Sequence, residues 1–225
     1  MAIEGDLRFL SHHDLMRVMG RIASRAGIPI RYSQGFNPRP ALSLPCPRPV
    51  GVASEDDLLV LAVEDEPSAA QGQSVPAAPG QPPVRGTMDE SELLDRLNRH
   101  APAGMRFFKA RPLAGSRAPQ PTGAEYELPL PDERLGDVAE RLDALECMDS
   151  WPLARSRGRD DEPQGIIDLR PLTAELKLEG PALRMRLVAG EGGTWARPGE
   201  VLRLLGLDDR TDLASTVRRH VDYEF

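Results

Sequence analysis

Between residues 11 and 39 the chain gathers three groups of side chains that could do chemistry. The first is Ser11-His12-His13-Asp14, directly ahead of an amphipathic run. Imidazoles in the first turn of a helix meet unpaired backbone N–H groups and the positive end of the helix dipole, which favour an anion and depress imidazole basicity. His12 is therefore a candidate for phosphate contact or for acid–base catalysis. The alternative is that one histidine packs against a sheet and the other is solvated, since the sequence fixes no partner for either. Ser11 and Asp14 have capping-box spacing, with Asp replacing the usual Glu or Gln, and capping is their expected role beside any contact with a ligand.

The second group is Arg17, Arg21 and Arg25, which step by four and so share one helix face. Their guanidinium groups would form a ridge able to pair with phosphates or carboxylates, or simply a solvated face. The third is Tyr32-Ser33-Gln34-Gly35-Phe36-Asn37-Pro38-Arg39-Pro40. Gly35 permits positive φ, Pro38 and Pro40 fix the chain, and Phe36 is an apolar group in a polar loop. Tyr32, Gly35, Phe36, Asn37 and Arg39 could present a binding group; otherwise the loop is a rigid turn with Phe36 plugging the core. Its spacing is not that of a phosphate-binding P-loop. Asp168, Arg170, Arg197, Glu200, Arg218 and Arg219 read as scattered surface residues.

Residues 1 to 50 carry seven arginines against three acids, whereas residues 51 to 225 carry 21 bases against 32 acids. A net charge of −7 argues against a general polyanion binder but allows one basic face on an acidic body. Cys46 and Cys147 show no CxxC spacing, so the chain's own thiols assemble no disulfide framework and no zinc or iron–sulfur site. No cofactor is expected. The thiol usage fits a reduced cytoplasmic setting. No apolar run approaches the roughly 20 residues that span a bilayer.

The elements that would position these groups form two units of an α+β protein. Residues 65–89 are rich in Pro, Gly, Ala and Gln, and are expected to be a disordered insertion. Residues 114–123 have linker composition, so the expected domains are 1–113 and 124–225. In the first, a strand at Leu7–Leu10 precedes a helix from His12 to about Ala26, with Leu15, Val18, Met19, Ile22 and Ala26 on its buried face. Extended segments Ile28–Tyr32 and Ala41–Pro45, a strand Leu58–Glu64, a helix Ser91–His100 and a strand Met105–Arg111 follow. This is the β-α-β-β-α-β order of a ferredoxin-like sandwich. In the second unit, strands are expected at Glu125–Pro129, Pro152–Arg157, Ile166–Leu169, Thr173–Leu178 and Leu183–Val188, with helices at Asp132–Met148 and Pro198–Leu205. A tandem of the first unit is one arrangement these elements allow.

The runs LRFLSHHDLMRVMGR, RAGIPI, YSQGFNPRPALSL and PVGVASE, then Leu97-Asn98, Pro102 to Gly104, IDLRPL, ARPGEVLRLLG and VRRH, resemble the radical-SAM-linked proteins. These form a bacterial family of unknown function, encoded beside or fused behind a B12-binding radical SAM protein. The resemblance covers most of the chain and implies a radical SAM protein as partner. The family pattern reads Ser-His-Leu-Asp, so His12 matches it and His13 departs from it; shared chemistry would rest on His12. The cysteine triad of the radical SAM cluster is absent from this chain.

Three functions follow as expectations. One is an accessory that binds RNA, or a nucleotide-like substrate, for a radical SAM partner. Another is an RNA-processing enzyme with His12 as acid–base. The third is an interaction module whose basic face docks an acidic partner. Whether the chain is catalytic stays open at this stage.

Overall fold

The computed structural model describes residues 1–64, 89–113, 118–156 and 163–225; the bulk of the expected insertion, and the start of the expected linker, lie outside them. In chain order the elements are β1 (Ala2–Ile3), α1 (His12–Arg25), β2 (Leu42–Ser43), β3 (Ala53–Ser54), β4 (Val60–Leu61), α2 (Glu90–His100), β5 (Met105–Arg106), β6 (Gln120–Pro129), α3 (Asp132–Glu146), β7 (Pro152–Ser156), β8 (Pro163–Asp168), β9 (Thr173–Glu179), β10 (Ala182–Val188), α4 (Pro198–Leu204), α5 (Thr211–Ser215) and β11 (Val217–Glu224). The protein is thus mixed α+β. It divides into two compact units: residues 1–47 with 57–119, and residues 48–56 with 120–225.

In the first unit β1 pairs antiparallel with β5, Ile3 opposite Met105. Met1 and Asp57 also exchange backbone hydrogen bonds in both directions, as an antiparallel pair does. Leu7–Leu10 does not form the expected strand: Gly5, at φ 60°, turns the chain away from the sheet, and a 3-10 turn spans Gly5–Phe9. The Glu4 N–H bonds the Gly104 carbonyl at 2.8 Å, which ends the pairing one residue after β1. Gly104 has to be glycine there, because its φ is 84° and a Cβ would lie 2.6 Å from the Glu4 oxygen.

The core of this unit joins Ile3, Leu15, Met19, Ile22, Ile30, Leu97 and Phe107. Leu15, Met19 and Ile22 arrive on one side of α1 because they recur at helical spacing. Burying a side chain of this size contributes about 1.5–3 kcal/mol, so this face, and not propensity, holds α1 in place. At the other helix, Asn98 receives the Phe107 N–H and donates to the Phe107 carbonyl, both at 2.8 Å, which locks α2 to the strand end that follows it.

In the second unit the neighbouring strands run in the order β3-β11-β6-β10-β9. All of these pairings are antiparallel except that of β3 with β11. Strands β7 and β8 make a separate hairpin. The register sets Met185 opposite Tyr126 and Leu183 opposite Leu128, all buried, while the alternate residues Arg184, Arg186, Glu125 and Glu127 face away. β6 already begins at Gln120, inside the segment expected to be linker, and α5 has no counterpart in the expected elements. Among the described residues no helix is long and apolar enough to cross a membrane.

Candidate functional site

Ser11 caps α1 as its sequence position implies: its Oγ accepts the Asp14 N–H at 3.2 Å, and its hydroxyl donates to the Asp14 carboxylate at 2.7 Å. Arg17 donates to the other Asp14 oxygen at 2.9 Å. The Ser11 hydrogen bond, with help from Arg17, holds the Asp14 carboxyl below the usual range despite the opposing pull of burial. A charged carboxylate in the first turn also suits the helix dipole. His12 is half-buried and His13 exposed, their rings in an edge-on contact at 5.9 Å between centroids. Neither has a hydrogen-bond partner among the described residues.

Arg17, Arg21 and Arg25 are all exposed on α1. Arg17 is engaged with Asp14, but the Arg21 and Arg25 guanidinium groups have no partner among the described residues. Gly20, between Arg17 and Arg21, is the point where a second element comes close: a Cβ there would stand 3.4 Å from Pro40 and 3.8 Å from Leu42.

That second element is the arm carrying the Tyr32–Pro40 segment. Tyr32 and Pro40 form an antiparallel bridge. The Ser33 N–H donates to the Arg39 carbonyl at 2.8 Å, and the Arg39 N–H donates to the Ser33 hydroxyl oxygen at 2.9 Å. Below them the Ala41 N–H donates to the Arg31 carbonyl at 2.7 Å. The segment is therefore a hydrogen-bonded hairpin, with Gly35 at φ 143°, a value open to glycine and costly for other residues. Gln34, Gly35, Asn37 and Arg39 are exposed, Tyr32 is half-buried, and Phe36 is 100% exposed. Phe36 thus does not plug the core. The two residues that close the hairpin sit below it, and its ring points at water from the tip. The Arg39 side chain has no partner among the described residues.

The structure therefore brings Ser11, Asp14, the arginine ridge and the hairpin onto one unit, with the hairpin's base on α1. One nearby feature escaped the sequence reading: Phe9, 50% exposed, lies just before the cap with the Arg8 guanidinium 4.8 Å from its ring centre. Leu7 to Leu10 read as a strand, which concealed it.

The polar residues of the second unit behave differently, and two were misread as surface. Glu200 is 2% exposed and Arg218 fully buried. Arg155 holds Glu200 through Nε and Nη2, each at 2.7 Å, and also donates to the Trp195 carbonyl. Burial pushes the Glu200 carboxyl up, but the Arg155 hydrogen bonds and the Arg197 N–H outweigh it and leave the group below its ordinary range. Asp168 accepts the N–H groups of Trp151 and Arg170 through one oxygen, at 2.7 and 3.0 Å. These residues bind their own chain. A shallow cleft of about 390 Å³ between α3 and the end of α4 contains Arg134, Arg141 and Leu207, and Arg134 is already forked onto Asp212 at 2.7 and 3.0 Å.

Among the described residues, no cluster of three or more His, Cys, Asp or Glu could hold a metal ion. The family model described as an uncharacterised protein conserved in bacteria, DUF2344, matches residues 2–77 and 83–198. The chain belongs to that family. No curated protein matches it.

Proposed function

We propose that the chain is an RNA-binding accessory protein whose RNA surface is the α1 ridge together with the 33–39 hairpin. The observation that carries this reading is the exposure of Arg21, Arg25 and Phe36 with no structural work to do, on a helix and the hairpin packed against it. Guanidinium groups supply phosphate contacts and an aromatic ring supplies a stacking surface, which is the pairing of residue types that nucleic-acid binding uses. Among the described residues no group is hydrogen-bonded to the His12 imidazole, and the proposal does not rest on catalysis by it. The radical SAM protein implied by the resemblance is the proposed recipient of the bound RNA.

The fold belongs to this reading in a finer form. Each unit is proposed to be a ferredoxin-like sandwich. The support lies in the second unit, in the order β11-β6-β10-β9, fully antiparallel, in which the first and third strands of a β-α-β-β-α-β chain lie side by side with the fourth beside the first. The β7/β8 hairpin would then be an insertion after α3.

The test is fluorescence anisotropy of labelled single-stranded RNA against the full chain, across a salt series. The expected result is binding at low salt that weakens as salt rises. The Arg21→Glu, Arg25→Glu variant should lose about tenfold or more in affinity and shed about 1.4 units of the logarithmic salt slope, since each of the two phosphate contacts adds roughly 0.7. Absence of binding at low salt would sink the proposal.

A further inference from the structure

Sandwiches of this layout often bind RNA on the open sheet face through aromatic side chains that stack on bases. Among the described residues, the sheet of the second unit presents mainly charged side chains outward. The outward residues of its sheet are charged and tied together: Arg219 reaches Glu55 and Glu127, Arg184 reaches Glu127 and Glu179 at 3.3 and 3.1 Å, and Lys177 reaches Glu175 at 2.8 Å. On the other flank Arg186 reaches Glu125 and Asp222 at 3.1 and 2.7 Å. A base approaching this surface would find acids already beside every one of these cations, and the exposed His220 ring held between Asp56 and Asp222. A fully exposed ring close to unpaired arginines lies in the first unit instead.

The hairpin tip carries it. Phe36 exposes its whole ring, Asn37 follows with an amide that can donate and accept, and Arg39 adds a planar cation without a partner. The tip is stiff at its base because the Ser33 and Arg39 main chains are cross-bonded and Pro38 and Pro40 fix two φ angles. A hairpin held out in this way brings its main chain partly ordered to the ligand, so less backbone freedom is lost on binding.

From this we infer that the site selects unpaired RNA: one splayed base stacks on Phe36 while the α1 arginines hold the adjacent phosphates. Bases inside a duplex are stacked on each other and offer no free face to a single protruding ring, whereas phosphates are present in both forms. Charge therefore sets affinity for any RNA, and Phe36 sets the preference for single strands. This inference rests on the RNA-binding reading above and deepens it.

The experiment compares the full chain with Phe36→Ala, Phe36→Trp and the double variant Arg21→Glu, Arg25→Glu. The probes are a labelled RNA of about 12 nucleotides and the same strand annealed to its complement. Wild type should bind the single strand more tightly than the duplex. Phe36→Ala should weaken single-strand binding about 5- to 100-fold and leave duplex binding unchanged, and Phe36→Trp should restore it. The arginine reversals should weaken both. Equal affinity for the two forms, or an unchanged Phe36→Ala, would overturn the inference while leaving RNA binding intact. No binding of either probe at low salt would instead refute the RNA-binding reading itself. Because Phe36 touches none of the core, loss of folding does not confound the result.

Discussion

The two units spend their charges in opposite ways. The first has 13 basic and 11 acidic side chains by sequence, and on its candidate surface Arg21, Arg25 and Arg39 have no acid partner among the described residues. The second has 15 basic and 24 acidic side chains, and its sheet cations Lys177, Arg184, Arg186 and Arg219 are all paired. An arginine beside acids of its own chain has its charge offset locally, whereas an unpaired one keeps its full charge for a ligand. The contrast teaches that net charge is a poor guide to where an anion binds: what counts is charge left over after internal pairing.

The largest expected effect tests the committed side of that contrast. Arg155→Ala would leave Glu200 buried without its cation, and breaking a buried pair in this way costs about 3–5 kcal/mol. Trp151 and Trp195 are the chain's two tryptophans and both belong to the second unit, so urea denaturation followed by tryptophan fluorescence reads this unit alone. The pair also sets a pH dependence. The folded Glu200 carboxyl lies below its unfolded value, so its contribution is complete above about pH 4.5 and disappears as pH falls through the lower, folded value. In Glu200→Gln the wild-type loss of stability below that pH should be shallower. An Arg155→Ala protein as stable as wild type would mean that Glu200 finds water or another partner, and the contrast between the units would blur.

Much of α1 was legible before the structure because its information is local. The Ser11 cap, the spacing of Leu15, Met19 and Ile22, and the step of four between arginines all lie within one helix length. The hairpin was legible as a stiff turn from Gly35, Pro38 and Pro40, but not the direction of Phe36, since a single apolar residue in a polar loop can turn inward or outward with the same sequence. What stayed hidden depends on distant partners. Arg155 and Glu200 are 45 residues apart, and Arg218 is buried by its place in β11 beside β6. Leu7–Leu10 misled for a related reason: a short apolar run ahead of a helix suits a strand, but Gly5 and the Glu4–Gly104 hydrogen bond have already ended the pairing.

A smaller effect tests the candidate surface without touching its ligand-facing groups. Ser11→Ala removes the acceptor for the Asp14 N–H and the donor to the Asp14 carboxylate. Loss of such a cap costs about 1 kcal/mol and should fray the first turn of α1, read as faster amide exchange in the first turn of the helix. If RNA binding also falls in this variant while Arg21 and Arg25 are intact, the first turn is part of the contact surface. Unchanged binding would confine the surface to the ridge and the hairpin.

The smallest effect is expected in the charge lattice of the second unit, and it is the sharper for being small. Arg184 is about half exposed and joins Glu127 to Glu179. Pairs of this kind contribute about 0.2–1 kcal/mol and are screened by salt, and Glu127 would keep Arg219 after Arg184→Ala. The variant should therefore unfold within about 0.5 kcal/mol of wild type in the tryptophan-monitored transition. Its RNA affinity should be unchanged, because the acids around this cation disfavour a phosphate there. A loss well above 1 kcal/mol would show that the lattice acts as one cooperative network. A loss of RNA binding would move the binding surface onto the second unit and remove the distinction between paired and unpaired arginines on which the assignment of the site depends.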